Sequence, residues 1–157
     1  MMIKVLFVCL GNICRSPMAE AIFEHEVKKR GLSLKISVDS AGTGNWHIGH
    51  PPHEGTRKLL DEKGISHAGL VARQIKEHDF DTFNYIIAMD LTNKSEIEKL
   101  KSEVPDGQVF TLLEFIPKSE IKEVPDPYYT GNFEEVFELV TEGCHYLLNY
   151  IIEKHLE

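Results

Sequence analysis

Residues 3–16 read IKVLFVCLGNICRS, and Pro17 follows them. Residues 3–8 are a short apolar run rich in branched and aromatic side chains, which is typical of a buried strand. From Pro17 onward, apolar side chains recur at helical spacing until Gly31, and proline is common at the first position of a helix. The sequence therefore predicts a strand, a connecting loop over residues 9–16, and a helix.

The rest of the chain continues this alternation. We predict further strands at residues 35–38, 85–89 and 108–110. We predict further helices at residues 54–62, 91–100 and 133–152. Such alternation favours an α/β fold with three layers, in which a small parallel sheet of about four strands has helices on both faces and binds ligands at the carboxyl ends of its strands. Because no internal repeat and no flexible linker interrupts the chain, we expect residues 1–157 to form a single domain.

The composition limits the range of functions. With 157 residues and 42% hydrophobic content, the chain suits one buried core. The net charge of -8 argues against a general affinity for nucleic acid or for anionic membranes. No apolar run is long enough for a membrane span or a secretory leader, so we expect a cytoplasmic protein. An odd number of cysteines, three, favours reduced thiols over a disulfide framework.

The loop over residues 9–16 has the features of an anion-binding site. A loop that leads into a helix offers several free backbone N–H groups to an anion. Gly11 allows a positive φ and a close approach to a ligand, and Asn12 is among the residues that best tolerate a positive φ. The loop can therefore curl around a phosphate.

Three side chains of this loop supply chemistry. Backbone dipoles, the helix N-terminus and a nearby guanidinium favour the thiolate form of Cys9, and the thiolate is the nucleophilic form. Arg15 follows after five intervening residues, so its planar fork can return to the anion and bind two oxygens at once. Ser16 can donate its hydroxyl to the Cys9 sulfur, and it can also cap the helix.

The residues VCLGNICRSP at positions 8–17 resemble the phosphate loop of the low-molecular-weight protein tyrosine phosphatases almost throughout. Further segments resemble the same family: DSAGT at 39–43, ARQ at 72–74 and DPYY at 126–129. The resemblance runs from Ile3 to the last helix. It implies an enzyme that hydrolyses phosphotyrosine and other aryl phosphates with no metal and no other cofactor.

The resemblance also implies roles for individual residues. Cys9 is the nucleophile that forms a phosphocysteine, Arg15 stabilises the transition state, and Asp126 is the general acid that then helps water attack the intermediate. An acid suits this position because protonation makes the tyrosyl oxygen easier to expel. The other phosphate-binding residues are Leu10, Gly11, Asn12, Ile13, Cys14 and Ser16. The residues of the aromatic substrate cleft are Trp46, Tyr128 and Tyr129.

Three points stay open beside the resemblance. The implied partner is a phosphotyrosine-containing protein of unknown identity, bound by a monomer or a weak homodimer, with no role for nucleic acid or membrane. In the family, a thiol at the position of Cys14 can form a reversible disulfide with the nucleophile. Family members often carry a histidine that supports the loop asparagine where Leu70 stands here, so the support of Asn12 is open.

Other candidate residues carry weaker signals. His47, His50 and His53 recur at intervals of three residues, but the prolines at 51 and 52 break the helix that would align them as metal ligands. We therefore expect no metal site there. Asp90 follows a predicted strand and suits the N-cap of the next helix, and its position at a strand end leaves a role in supporting the loop open.

Competing functions are less well supported. A branch of the same family hydrolyses phosphoarginine and resembles this loop except for a threonine where Ile13 stands, and the bulky aliphatic Ile13 favours phosphotyrosine. A phosphocysteine carrier needs neither Arg15 nor Asp126. A thioredoxin-coupled arsenate reductase needs a further cysteine pair that the sequence lacks. A binding module without catalysis commonly loses the nucleophile or the acid, and both are present.

Overall fold

The computed structural model describes residues 2–101 and 107–156. The strands are β1 (Ile3–Cys9), β2 (Ile36–Gly42), β3 (Tyr85–Ala88) and β4 (Val109–Thr111). The helices are α1 (Arg15–Lys29), α2 (Glu54–Glu62), α3 (Asp79–Thr82), α4 (Leu91–Glu98), α5 (Pro127–Thr130) and α6 (Phe133–Ile151), with a 3₁₀ helix at Leu112–Phe115 and a π-helical turn at Ile152–Leu156. None of the helices in these two ranges is both long and apolar enough to cross a membrane.

The four strands form one parallel sheet in the order β2-β1-β3-β4. The side chains of β1 are buried on both faces of this sheet. Val5 and Phe7 pack in a large hydrophobic cluster with residues of α1 and α6. Leu6 and Val8 pack on the other face with residues of α3 and α4. A strand that is covered on both faces needs a continuous apolar run, and the predicted α/β architecture is confirmed.

Every strand and helix predicted from the sequence is present, but some bounds differ. The predicted second strand ends at residue 38, whereas β2 continues to Gly42. The segment DSAG is polar or small and has a weak intrinsic preference for strands, yet each of its residues pairs with β1, from Leu6↔Asp39 to Cys9↔Gly42. The short helices α3 and α5 and the 3₁₀ helix are absent from the prediction, because four residues show too little periodicity.

The strand order places the loop after β1 at a crevice in the sheet. Strands β2 and β3 pair with opposite edges of β1, so the chain lies on different sides of β1 before and after α2. Open parallel sheets bind ligands at such a point, beyond the carboxyl ends of the strands. The loop that follows Cys9 occupies this position.

Candidate active site

The left-handed residue of the loop is Asn12. Its φ is 56°, a conformation that asparagine tolerates better than most residues. Gly11 could also adopt a positive φ, but it does not. Its backbone passes close to a side chain instead, since a Cβ at Gly11 would lie 3.0 Å from Cδ2 of His47.

The end of β2 holds the start of the loop through backbone hydrogen bonds. The N–H groups of Thr43 and Gly44 donate to the carbonyl oxygens of Cys9 and Leu10, both at 2.9 Å. This approach requires a glycine at position 42, because a Cβ on Gly42 would lie 2.7 Å from the Leu10 oxygen. The position of the loop over the sheet is therefore fixed by β2.

Polar contacts beneath the loop support Asn12. Its Nδ2 donates to Ser16 Oγ at 2.7 Å and to Ser40 Oγ at 3.0 Å. Its Oδ1 accepts the backbone N–H of Arg73 at 3.0 Å. Leu70 has no polar atom in its side chain to offer. Two serines and one backbone amide thus hold the loop asparagine in place of the histidine that is frequent in the resembling family.

Two carboxylates hold Arg73. Nη1 and Nη2 donate to the two oxygens of Asp79 at 3.0 and 3.2 Å, and Nε donates to Asp39 at 3.2 Å. Burial opposes the charge of Arg73, but the hydrogen bonds and charges of Asp79 and Asp39 outweigh it, and the pKa of Arg73 is raised. These ion pairs fix the segment whose backbone reaches Asn12.

The Cys9 sulfur lies at the floor of the site, with only 3% of the residue exposed. Its Sγ lies 3.0 Å from Ser16 Oγ. Ser16 is inside the first turn of α1, whose N-cap is Cys14, and no side chain caps the helix. The Ser16 hydroxyl therefore contacts the sulfur, and its alternative role as a helix cap is wrong.

The second thiol of the loop, Cys14, is buried. Burial, followed by the charges of Cys9 and Asp126, raises the pKa of Cys14 to about 12. Its thiolate is therefore scarce at neutral pH, which leaves Cys9 as the better candidate nucleophile. Cys9, Cys14 and Cys144 are all free thiols in the structure, so a disulfide between the two loop cysteines stays a prediction.

Arg15 is almost fully buried and is anchored by three acceptors from two later segments. Its Nη1 donates to Asp90 Oδ2 at 2.7 Å and to the Val124 carbonyl at 2.9 Å, and its Nη2 donates to Asp126 Oδ2 at 3.4 Å. Burial opposes the charge of Arg15, but Cys9, Asp90 and Asp126 outweigh it and raise its pKa. Asp90 also caps α4 by accepting the N–H of Asn93 at 2.7 Å, so it has a second contact beyond the cap that its sequence position predicts.

Asp126 begins the short helix α5. Its Oδ1 accepts the backbone N–H of Tyr128 at 3.0 Å, and Pro127 occupies the first helical position. The helix ends at Gly131, which has a φ of 73°. Because this single turn is capped at both ends, it fixes the carboxyl of Asp126 relative to the aromatic side chains that follow.

The predicted catalytic and cleft residues surround one cavity of about 220 Å³. Its lining comprises Cys9, Leu10, Gly11, Ile13, Cys14, Arg15, Trp46, His47, Asp126, Tyr128 and Tyr129. Asn12 and Ser16, which the resemblance implies as phosphate-binding, lie beneath the loop and do not line the cavity. Trp46 is 66% exposed and stands at the rim, as do Tyr128 and Tyr129. The structure thus brings the Cys9 thiol, the Arg15 guanidinium, the Asp126 carboxyl and several aromatic side chains together.

His47 is the lining residue that the sequence does not indicate as part of the cleft. The available signal is its position next to Trp46. Among the three histidines of this segment, His53 has a structural role: its Nδ1 accepts the N–H of Gly55 at 3.0 Å, and its ring stacks on Phe133. In the described parts of the chain, no group of three or more His, Cys, Asp or Glu residues is arranged to hold a metal ion.

Sequence comparison identifies relatives over almost the whole chain. The sequence model of the family described as low molecular weight phosphotyrosine protein phosphatase matches residues 4–156. The low molecular weight protein-tyrosine-phosphatase YfkJ of Bacillus subtilis is 55% identical over 147 residues, which are 94% of each chain. The low molecular weight protein-tyrosine-phosphatase PtpA of Staphylococcus epidermidis is 51% identical over 152 residues, 97% of this chain and 96% of PtpA.

Solved structures share the fold at similar coverage. The crystal structure of YfkJ from Bacillus subtilis has a TM-score of 0.97 at 53% identity and covers 99% of this chain and 98% of its own. The crystal structure of DARP, a drosophila arginine phosphatase, has a TM-score of 0.87 at 37% identity and covers 94% of this chain and 97% of its own. With this match in sequence, fold and loop, the chain belongs to the low molecular weight phosphotyrosine protein phosphatase family.

Proposed function

We propose that this protein hydrolyses phosphotyrosine in protein substrates, and aryl phosphates in general, through a phosphocysteine intermediate on Cys9. The observation that carries this proposal is the cavity in which Cys9, Arg15 and Asp126 meet. The names of its relatives as protein-tyrosine-phosphatases support it. The cytoplasmic location stays a prediction from the sequence.

The first half of the reaction transfers the phosphoryl group to the enzyme. The Cys9 sulfur attacks phosphorus, the new S–P bond forms, and the P–O bond to the tyrosyl oxygen breaks while Asp126 gives that oxygen a proton. Both shorter hydrogen bonds of Arg15 come from Nη1, so the Nε–Nη2 edge of the fork is the edge that binds two phosphoryl oxygens. The N–H groups of the loop stabilise the same charge.

The second half releases phosphate. Asp126, now a carboxylate, takes a proton from a water molecule, whose oxygen attacks phosphorus. The S–P bond breaks, and the electron pair returns to the Cys9 sulfur. The Ser16 hydroxyl, 3.0 Å from that sulfur, stabilises the thiolate as a leaving group.

The depth of the site supports phosphotyrosine over phosphoserine. Cys9 is 3% exposed, whereas Tyr129 at the rim is 76% exposed. A phosphate must therefore reach the floor on a long side chain, and a flat phenyl ring fills the space between the aromatic walls. A phosphoserine is too short to reach the sulfur without drawing the substrate backbone into the cleft.

The test is phosphate release from a phosphotyrosine peptide under reducing conditions with a metal chelator. We expect turnover by the wild type and none by Cys9→Ser. Cys144→Ala is the matched control, because Cys144 is a fully buried thiol on α6 and does not line the cavity. Undiminished turnover by Cys9→Ser, or no turnover by the wild type, contradicts the proposal.

The arginine phosphatase relative makes phosphoarginine the second candidate substrate. Ile13 lines the cavity, and its aliphatic bulk crowds a polar guanidinium head while it tolerates a phenyl ring. We expect the wild type to prefer phosphotyrosine when both phosphoamino acids are assayed side by side. Ile13→Thr should shift the ratio of kcat/KM values toward phosphoarginine by about tenfold. A wild-type preference for phosphoarginine makes that activity the function.

A further inference from the structure

A buried carboxylate, Glu20, lies at the end of the hydrogen-bond network beneath the loop, and the reaction described above does not use it. Glu20 is on α1, one turn after Ser16, so both side chains are on the face that meets the loop and β2. Glu20 Oε1 lies 2.6 Å from Ser40 Oγ. A carboxylate is costly to bury, and here its partner is a serine hydroxyl that contacts Asn12.

The direction of each hydrogen bond in the network follows from one fixed donor. The backbone N–H of Arg73 can only donate, so the atom it contacts on Asn12 is the oxygen, and the nitrogen of that amide faces the two serines. Asn12 Nδ2 therefore gives one hydrogen to Ser16 Oγ and the other to Ser40 Oγ. Each serine has a single hydroxyl hydrogen, which must go to a different acceptor.

Those acceptors are at the two ends of the network. The hydrogen of Ser40 goes to Glu20 Oε1. The hydrogen of Ser16 has two acceptors within reach, the Cys9 sulfur at 3.0 Å and the Ala41 carbonyl oxygen at 3.4 Å, and a thiolate at the shorter distance is the better acceptor. If Ser40 loses its acceptor, its hydroxyl is free to turn, and the amide of Asn12 loses one of its three fixed partners. The amide orientation that sends the Ser16 hydrogen to the sulfur is then less well defined.

We propose that Glu20 is a positioning residue that acts through Ser40 and Asn12 to keep the Ser16 hydroxyl directed at the Cys9 sulfur. This inference rests on the proposed role of Cys9 as nucleophile. Burial, with the charges of Asp39 and Glu24, raises the pKa of Glu20 to about 7, while the Ser40 hydrogen bond and the charge of Arg73 oppose this shift. Oε1 accepts from Ser40 both as a carboxylate and when the proton is on Oε2, so the role holds in both states.

The test measures the pH midpoint of Cys9 alkylation by iodoacetamide, together with kcat. Fragmentation of the peptide that contains both Cys9 and Cys14 separates alkylation of the two thiols. Loss of the acceptor in Glu20→Ala should raise the midpoint by about 0.5–1 pH unit and lower kcat by about tenfold. Glu20→Gln keeps an acceptor oxygen, so its alkylation midpoint and its kcat should both stay close to the wild-type values. A purely electrostatic role has the opposite sign, because removal of a nearby negative charge stabilises the thiolate and lowers the midpoint.

Two controls separate this role from a structural one. Glu24→Ala removes the same charge from α1 at an exposed site that pairs with Lys28, and it should leave the midpoint unchanged. In a Ser40→Ala background, Glu20→Ala should have no further effect on the midpoint, because the connection is already broken. If Glu20→Ala does not fold, Ser40→Ala alone carries the test and should raise the midpoint.

An unchanged or lowered midpoint in a folded Glu20→Ala or Ser40→Ala protein overturns the proposal, as do additive effects in the double variant. Alkylation needs no phosphorylated substrate. The outcome is therefore independent of whether the protein hydrolyses phosphotyrosine, and failure of the proposed function shows only in the turnover assay.

Discussion

At the scale of single residues, the anchoring of Arg15 explains how its fork is held ready for a phosphate. An arginine side chain has many rotamers, and fixing one of them at the moment of binding costs free energy. Asp90 and the Val124 carbonyl fix Nη1 before any substrate arrives. The side chain is thus preorganised, which is how electrostatic stabilisation of a transition state is most effective.

Asp90→Asn tests this anchoring. Asparagine keeps an oxygen to cap α4 but loses the charge-assisted bond to Arg15, so we expect kcat/KM to fall by about ten- to hundredfold. The midpoint of thermal unfolding should fall as well, because α4 keeps its cap but the buried Arg15 loses a charged partner. Asp61→Asn, at an exposed site on α2 paired with His67, is the control and should keep wild-type kinetics. Wild-type kcat/KM in Asp90→Asn contradicts the anchoring role.

Asp126→Asn tests the general acid. Asparagine keeps the cap of α5 but has no acidic proton to transfer. Substrates with poor leaving groups should therefore lose the most activity. We expect kcat/KM for phenyl phosphate to fall by about a hundredfold or more, and kcat/KM for p-nitrophenyl phosphate to fall by much less, because kcat/KM reports the transfer to Cys9 and not the breakdown of the intermediate. Equal losses for both leaving groups exclude Asp126 as the acid.

The sequence predicts the residues whose chemistry is local, and the structure adds those whose role depends on distant contacts. Cys9 and Arg15 belong to one loop and could be identified from it. Asp90 is 75 positions from Arg15 along the chain, and Ser40 is 28 positions from Asn12. No local pattern reports such pairs, so the sequence indicates Asp90 mainly as a helix cap, with a loop-supporting role left open, and gives no signal for Glu20.

At the scale of elements, the end of β2 is the support on which the loop rests. Residues 39–42 carry polar and small side chains that weaken the strand signal in the sequence, which is why the predicted strand ends early. The same side chains are the ones that the site needs. Ser40 bonds Asn12, and Gly42 allows the backbone to approach Leu10.

Gly42→Ala should therefore damage the site through backbone displacement. Its Cβ would lie 2.7 Å from the Leu10 carbonyl oxygen and 3.1 Å from the Asn12 nitrogen, and backbone atoms yield at a high cost in free energy. We expect a loss of about 2 kcal/mol or more in the free energy of unfolding and at least a tenfold loss in kcat. Gly11→Ala is the comparison, because its Cβ meets the His47 ring edge, which can move. If Gly11→Ala loses more stability and more kcat than Gly42→Ala, the backbone contact of Gly42 is not what the loop depends on.

At the scale of the whole molecule, the buried Glu20 links stability to pH. Burial is the main cause that raises its pKa from an ordinary value of 4.5 to about 7 in the folded protein. The folded state binds more protons than the unfolded state between these values, so the contribution to stability is complete below about pH 4.5 and is lost as the pH rises through 7.

Glu20→Gln cannot ionise and should escape this loss. We expect the free energy of unfolding of Glu20→Gln, relative to wild type, to be greater at pH 8 than at pH 5 by ~1–3 kcal/mol. Denaturant unfolding of both proteins at the two pH values measures this difference. Glu24→Gln on the same helix removes only a charge that helps raise the pKa of Glu20, so its gain should be much smaller. A difference that is the same at both pH values shows that Glu20 is not the group responsible.

The central claim is that phosphate passes through the sulfur of Cys9, and trapping the intermediate tests it most directly. Asp126→Asn mixed with p-nitrophenyl phosphate should form the intermediate readily, since this leaving group needs little acid help, and break it down slowly, since the base is gone. After a quench in denaturant, we expect one phosphoryl group on the peptide that contains Cys9 and Cys14, and fragmentation of that peptide should place the group on Cys9. A phosphoryl group on another residue, or release of nitrophenol with no covalent adduct at any time, contradicts it.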